Sequence, residues 1–132
     1  MIQKIPLNTT HFEWIDVEGP KDEDLLELKS KFDLPHLLVQ DCLRPEHLPK
    51  FESTLQGEFL MLRGFDAKSE DDAISIQDLT RKIALFISPN RIVTIYRVKL
   101  PFLLNIQDKL SSMNSVDHLE SVIHKIVLGV FF

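Results

Sequence analysis

The acidic run FDAKSEDDA, Phe65 to Ala73, carries the side chains best suited to chemistry: Asp66, Glu70, Asp71 and Asp72 follow the end of an apolar segment. Carboxylate oxygens of this kind suit hard cations, and Mg²⁺ keeps most of its water and often needs only one or two of them. A solvated acidic loop has the same appearance, so the run by itself leaves both readings open. A second set, His36, Cys42, Glu46 and His47, has the atom types of a zinc site. Its spacing argues against one, because structural zinc sites use close pairs such as CxxC or HxxxH. Cys42 falls in an apolar helix, where a buried thiol is expected, with the histidines at the surface. His118, Glu120 and His124 lie on the last helix, and Glu120 and His124 share a face as an ordinary surface pair does. Asp41, an acid on an otherwise apolar helix, is expected to accept backbone N–H bonds from the turn at Arg44 to His47.

Enzyme chemistry lacks its requirements here. There is no glycine-rich phosphate loop and no GxSxG elbow, and the chain has only four glycines. A thiol inside a hydrophobic helix is raised in pKa and hidden, the opposite of what a nucleophile needs.

The elements that must position these residues alternate along the chain. Phe12 to Val17 alternates apolar and polar residues as a strand does, and Gly19-Pro20 stops it. Pro20 suits a first helical position, Asp22, Glu23 and Asp24 favour the N-terminal dipole, and Leu25, Leu28 and Phe32 recur at helical spacing. Asp33 and Pro35 break this helix. From Pro35 to Leu43 the residues Leu37, Leu38, Val39, Cys42 and Leu43 surround most of a short helix, which is expected to be largely buried. Phe59 to Phe65, Ile83 to Ile87 and Ile92 to Tyr96 are apolar runs of strand length, rich in β-branched and aromatic residues. The last two are expected to pair through Ser88, Pro89, Asn90 and Arg91, which have the composition of a tight reversal. Ile83, Leu85 and Ile87 alternate with Ala84 and Phe86, so both faces of that strand are apolar and the sheet must be covered twice. Helices from about Pro101 to Leu110, and from Val116 onward with Leu119, Ile123 and Ile126 on one side, complete the cover. The expected fold class is α/β: an α/β/α sandwich with a mixed sheet between helical layers.

A chain of 132 residues with 44% hydrophobic content can bury one core, so a single domain over residues 1–132 is expected. Fifteen basic against twenty acidic residues give a net charge of −5 without a Lys/Arg run. That excludes the electrostatic footprint of a nucleic-acid binder and makes cations the expected partners. A lone cysteine fits a reducing compartment. No apolar run approaches the ~20 residues of a spanning helix, so the chain as it stands is expected to be soluble. It ends on IVLGVFF inside what reads as a helix, with no cap or polar stop, and more chain is expected beyond Phe132.

The segment LPHLLVQDCLRPEHLPKFE, Leu34 to Glu52, resembles the CorA family of divalent-cation channels, whose cytoplasmic domain carries HPLxxEDxLxxxxRPKxE before an apolar strand. Leu37, Asp41, Leu43, Pro49, Lys50 and Glu52 fall in register with that pattern. Pro35 and His36 are in reversed order, Gln40 replaces its acid and Leu48 its Arg. The resemblance runs from about Phe12 to Phe132. It implies a cytoplasmic, non-enzymatic regulatory domain of a Mg²⁺ or Co²⁺ transporter, with zinc transporters of the ZntB type as relatives. It further implies a stalk helix and two membrane helices with a Gly-Met-Asn signature downstream, an inner-membrane location, and a homopentamer. Asp66 stands where the family has an Asp that shares a regulatory Mg²⁺ with the neighbouring subunit's stalk, whereas Asp71 and Asp72 match no ligand of the family. The alternative is a free-standing α/β ligand-binding or interaction module without a channel.

Overall fold

The computed structural model describes residues 1–44, 48–65, 80–98, 100–113 and 118–131. Its elements are β1 (Ile2–Ile5), β2 (Glu13–Glu18), α1 (Asp22–Ser30), α2 (His36–Cys42), β3 (Lys50–Thr54), β4 (Gly57–Phe65), β5 (Thr80–Ser88), β6 (Arg91–Tyr96), α3 (Pro101–Ser111) and α4 (Leu119–Phe131). The strands form one six-stranded sheet in the order β1-β2-β6-β5-β4-β3. After β2 the chain passes through α1 and α2 to the far edge, and the antiparallel meander β3 to β6 brings it back beside β2. There β6 runs parallel to β2, and that one pair makes the sheet mixed.

Side-chain parity sends the two faces of the sheet into separate cores. Ile15, Val17, Phe59, Met61, Ala84, Phe86, Val93 and Ile95 meet Leu28 of α1 and Leu38, Val39 and Cys42 of α2. Trp14, Ile83, Leu85, Ile92 and Tyr96 meet Leu103 and Leu110 of α3 and Val122, Ile126 and Val130 of α4. This is the expected α/β/α sandwich, and the apolar alternation read on both sides of β5 is its direct cause. The hairpin at Ser88–Arg91 also forms, with those two residues as the last pair of β5 and β6.

Four expectations change. β2 is not half-exposed: Trp14, Ile15, Asp16 and Val17 are all buried, because β1 and β6 flank it and helices cover both faces. Strands β1 and β3 were not foreseen; both lie at sheet edges, β1 is only four residues long and β3 is largely polar and exposed, so a period of two carries little hydrophobic signal in either. Helix α1 begins at Asp22, past Pro20, and the Asp24 carboxylate accepts the Lys21 N–H at 2.9 Å. That backbone bond holds the Asp24 carboxyl below its ordinary range. Helix α2 is buried on one side only, because it lies flat on the sheet: Leu37 is 74% exposed and Leu43 41%. Gly57 occupies φ 141°, where an added Cβ would lie 2.2 Å from the Ile87 carbonyl oxygen, so the β3–β4 turn requires glycine there.

Candidate functional site

The motif residues from α2 and β3 converge at one rim of the sheet. Helix α2 presents Asp41 away from its buried Leu38–Val39–Cys42 side, and β3 opens with Lys50, whose Nζ donates to Asp41 Oδ2 at 2.7 Å. Glu52, two residues along β3, places a carboxylate oxygen 3.4 Å from the same ammonium. The Lys50 Nζ also lies 5.6 Å from the centroid of the Phe59 ring, in cation–π range. The hydrogen bond from Lys50 to Asp41 is the main reason that the ammonium is held above its ordinary pKa. A second lysine reaches the same helix end: Lys82 of β5 donates to the main-chain carbonyl of Asp41 at 3.2 Å and to that of Arg44. Cations belong at this position, since the last carbonyls of a helix are unsatisfied and carry its negative dipole end.

The motif is therefore a clamp. Pro49 directly precedes the strand, Lys50 ties β3 to α2 through Asp41, and Glu52 shares the ammonium. Among the described residues, Asp41 is tied both to the strand and to the first residue of the following turn. Arg44 N–H donates to the Asp41 main-chain carbonyl at 3.2 Å, while the carboxylate takes the lysine. The rest of the expected turn, Pro45 to His47, lies outside the described residues. Leu37 and Leu43, also in register with the motif, sit at the surface rather than in the core.

The acidic candidates Asp66, Glu70, Asp71 and Asp72 all fall in 66–79, outside the described residues. The strand ends that bracket this segment are described: Phe65, the last residue of β4, pairs with Thr80, the first of β5. Among the described residues no three of His, Cys, Asp and Glu converge on a point that could hold a metal ion. Cys42 is buried, its thiol donates to the Leu38 carbonyl at 3.2 Å, and burial pushes it up to about 12, which suits neither a zinc thiolate nor a nucleophile. His36, Glu120 and His124 are exposed, and Glu46 and His47 lie outside the described residues.

Sequence reasoning missed a buried polar chain on the α3/α4 side of the parallel pair. Asp16 is 1% exposed and accepts hydrogen bonds from Thr94 Oγ1 at 2.6 Å and from the Tyr96 hydroxyl at 2.5 Å. Thr94 accepts in turn from the Trp14 indole N–H at 2.9 Å. Burial, and then the bond to Asp16, raise the Tyr96 phenol above its ordinary range. The available signal was an acid at the same parity as Trp14, two residues apart on one strand.

The comparisons with known proteins agree on one family. The family model described as CorA-like Mg²⁺ transporter protein matches residues 9–131. The full-length CmaX protein superposes with a TM-score of 0.72 at 12% identity, covering 92% of this chain and 37% of its own. The CorA magnesium transporter of Methanocaldococcus jannaschii gives a TM-score of 0.71 at 18% identity, covering 91% of this chain and 37% of the transporter. The ZntB cytoplasmic domain of Vibrio parahaemolyticus gives 0.69 at 19% identity, with 92% of this chain and 48% of that domain covered. At these identities the superpositions establish the fold, and the chain spans little more than a third of the two longer proteins. A search of curated protein sequences gave no match. No helix among the described residues is long and apolar enough to cross a membrane. With nearly the whole chain inside the family match and the fold shared by its solved members, this chain belongs to the CorA-like Mg²⁺ transporter family.

Proposed function

We propose that this chain is the cytoplasmic ion-sensing domain of a CorA-like divalent-cation transporter, in which cation binding between subunits regulates a pore built by other parts of the protein. The observation that carries this reading is the family match over residues 9–131. A net charge of −5 and the placement of an acidic segment between the paired ends of β4 and β5 support it. Asp66 is the principal candidate ligand, with Glu70, Asp71 and Asp72 as weaker ones. A divalent cation would supply charge neutralisation between oxygen ligands, the chemistry of Mg²⁺ and equally open to Co²⁺. Zn²⁺ is the alternative cargo, through the likeness to a ZntB domain.

The work of this chain is to carry carboxylates on a rigid support. Carboxylates that face one another across a subunit boundary repel, and the repulsion is relieved when a cation lies between them. The subunits then keep the closed arrangement, and they loosen when the cation is lost. The sheet and the Asp41–Lys50 clamp keep the support stiff, so displacement at the acidic segment passes to the whole domain. In the full-length homo-oligomer, expected to be a pentamer in the inner membrane, Asp66→Asn should weaken the protection from proteolysis that Mg²⁺ confers, and Asp71→Asn and Asp72→Asn should do much less. Equal protection in wild type and Asp66→Asn would remove Asp66 from the sensor. Tight Mg²⁺ binding by the 132-residue chain alone would place the whole site within one subunit.

A further inference from the structure

Strand β3 ends the sheet, and among the described residues no strand pairs with its outer edge. The turn to β4 fixes which backbone groups face that edge. Thr54 pairs with Gly57 across the two-residue turn 55–56, so Thr54 exchanges backbone hydrogen bonds with β4, and by alternation so do Glu52 and Lys50. Phe51 and Ser53 therefore direct their N–H and C=O groups outward, away from β4. Their side chains point to the α3/α4 side, where Phe51 is 64% exposed beside a half-buried Leu60. Lys50 and Glu52 point to the other side, beside Asp41.

This edge is complementary to itself. A second β3 laid antiparallel about a two-fold axis at Phe51 sets Phe51 opposite Phe51 of the second copy, and the two exchange both backbone hydrogen bonds. Ser53 N–H then reaches the Pro49 carbonyl of the second copy. Lys50 falls opposite Glu52 of the second copy, and Glu52 opposite its Lys50, in the non-hydrogen-bonded pairs where side chains come closest. The Lys50 ammonium contacts Asp41 at 2.7 Å and its own Glu52 at 3.4 Å; with three donors it can add a further carboxylate without giving up either. A short strand with Pro and Lys ordinarily blunts an edge against pairing. Here the same charges select a register, since an axis at Ser53 would set Lys50 opposite Gln56 and Glu52 opposite Thr54.

We propose that β3 is a docking edge for β3 of a second copy of this chain, joining the two sheets into one across a two-fold axis at Phe51. Backbone bonds supply the attraction and the two Lys50–Glu52 cross pairs fix the register. A pairing of five-residue strands buries less than the roughly 1,600 Å² of a standard interface, so the dimer is weak, with a Kd on the order of 0.1 mM. The contact needs no metal, so it is independent of the cation reading above.

The test is sedimentation equilibrium of the 132-residue chain in chelator, at concentrations up to about 1 mM, where a monomer–dimer equilibrium is expected. Glu52→Lys sets Lys against Lys50 of the second copy, and Lys50→Glu sets Glu against its Glu52. Each should weaken the dimer about tenfold or more, and an equimolar mixture of the two should restore it, because every cross pair is again Lys with Glu. Lys50→Glu also puts an acid beside Asp41, so urea midpoints show which variants are folded. If Lys50→Glu is not, Glu52→Lys and a cysteine pair decide. Oxidised Phe51→Cys should form a covalent dimer, since the facing Cα atoms of a hydrogen-bonded pair lie about 5.5 Å apart, within disulfide range. Ser53→Cys should not, because the two cysteines would be roughly 13 Å apart along the paired strands. A chain that stays monomeric throughout, a dimer that folded Glu52→Lys leaves intact, or cross-linking through Ser53→Cys instead of Phe51→Cys overturns the proposal.

Discussion

On the α1/α2 side of the sheet the buried layer is hydrocarbon and aromatic apart from the Cys42 thiol and the Met61 thioether, and its ionic contacts sit at the rim, where Asp41 and Lys50 are still partly solvated. On the α3/α4 side a carboxylate, two hydroxyls and an indole N–H lie in the middle of the layer and bond to one another. The same kinds of group thus have different stakes on the two faces. A pair at the rim exchanges one partner for water when it breaks, and such pairs contribute little. A desolvated chain cannot make that exchange, so removing one member strands the others. The buried chain also joins β2 to β6, the one parallel pairing, in a way that fixes its register: a slip by one residue would turn Asp16 into the hydrocarbon layer of the other face.

The largest expected effect tests that contrast directly. Asp16→Ala leaves the Thr94 and Tyr96 hydroxyls without their acceptor and should destabilise the fold by about 3 kcal/mol, seen as a lower urea midpoint. Asp16→Asn keeps the shape and one acceptor oxygen and should cost about half as much. If Asp16→Ala unfolded at the wild-type concentration of urea, the carboxylate would have to be in contact with water and the contrast between the faces would fail.

A smaller effect belongs to the rim. Asp41→Ala removes the clamp partner of Lys50 and should cost about 1 kcal/mol, because the ammonium can turn to Glu52 and to solvent. The loss should shrink as salt is added, whereas that of Asp16→Ala should not, since screening acts on exposed charges and much less on buried ones. In a double-mutant cycle with Lys50→Met the two single losses should not add. Additive losses would mean that Asp41 acts through the turn that follows α2 and not through the lysine.

The fold was legible wherever burial was strong on both sides of an element. The double alternation in β5 announced two covering layers, and Leu119, Ile123 and Ile126 announced the inner side of α4, because in each case the apolar period is the packing. Edge strands β1 and β3 were illegible for the opposite reason: they are held by backbone pairing to β2 and β4, and backbone bonds leave no hydrophobic pattern. Of the site, the residues of the motif could be named, but not their roles. Asp41 and Lys50 are nine positions apart, and only the return of β3 along the sheet edge makes them a pair. The outer edge of β3 is further from view, since Phe51 and Ser53 face away from β4 through strand register, which the sequence does not state.

The smallest expected effect is alkaline, and it again separates the two faces. Burial among the α1/α2 residues pushes the Cys42 thiol from its ordinary 9.0 up to about 12, so the folded chain retains a proton that the unfolded chain releases. A raised pKa contributes stability that is fully present below the unfolded value and is lost as pH climbs toward the folded one. Stability should therefore begin to fall near pH 9 because of Cys42 on one face. The Tyr96 phenol on the other face, raised first by burial and then by its bond to Asp16 from an ordinary 10.0, adds a loss of the same sign that starts higher. Cys42→Ala should lower the midpoint at neutral pH by a small cavity cost of about 1 kcal/mol, yet flatten its decline at the onset of the alkaline limb. Tyr96→Phe should flatten only the later part. Urea midpoints taken across the alkaline range would read both slopes, and a Cys42→Ala slope equal to that of wild type would mean that the thiol titrates in water and that the α1/α2 layer is open there.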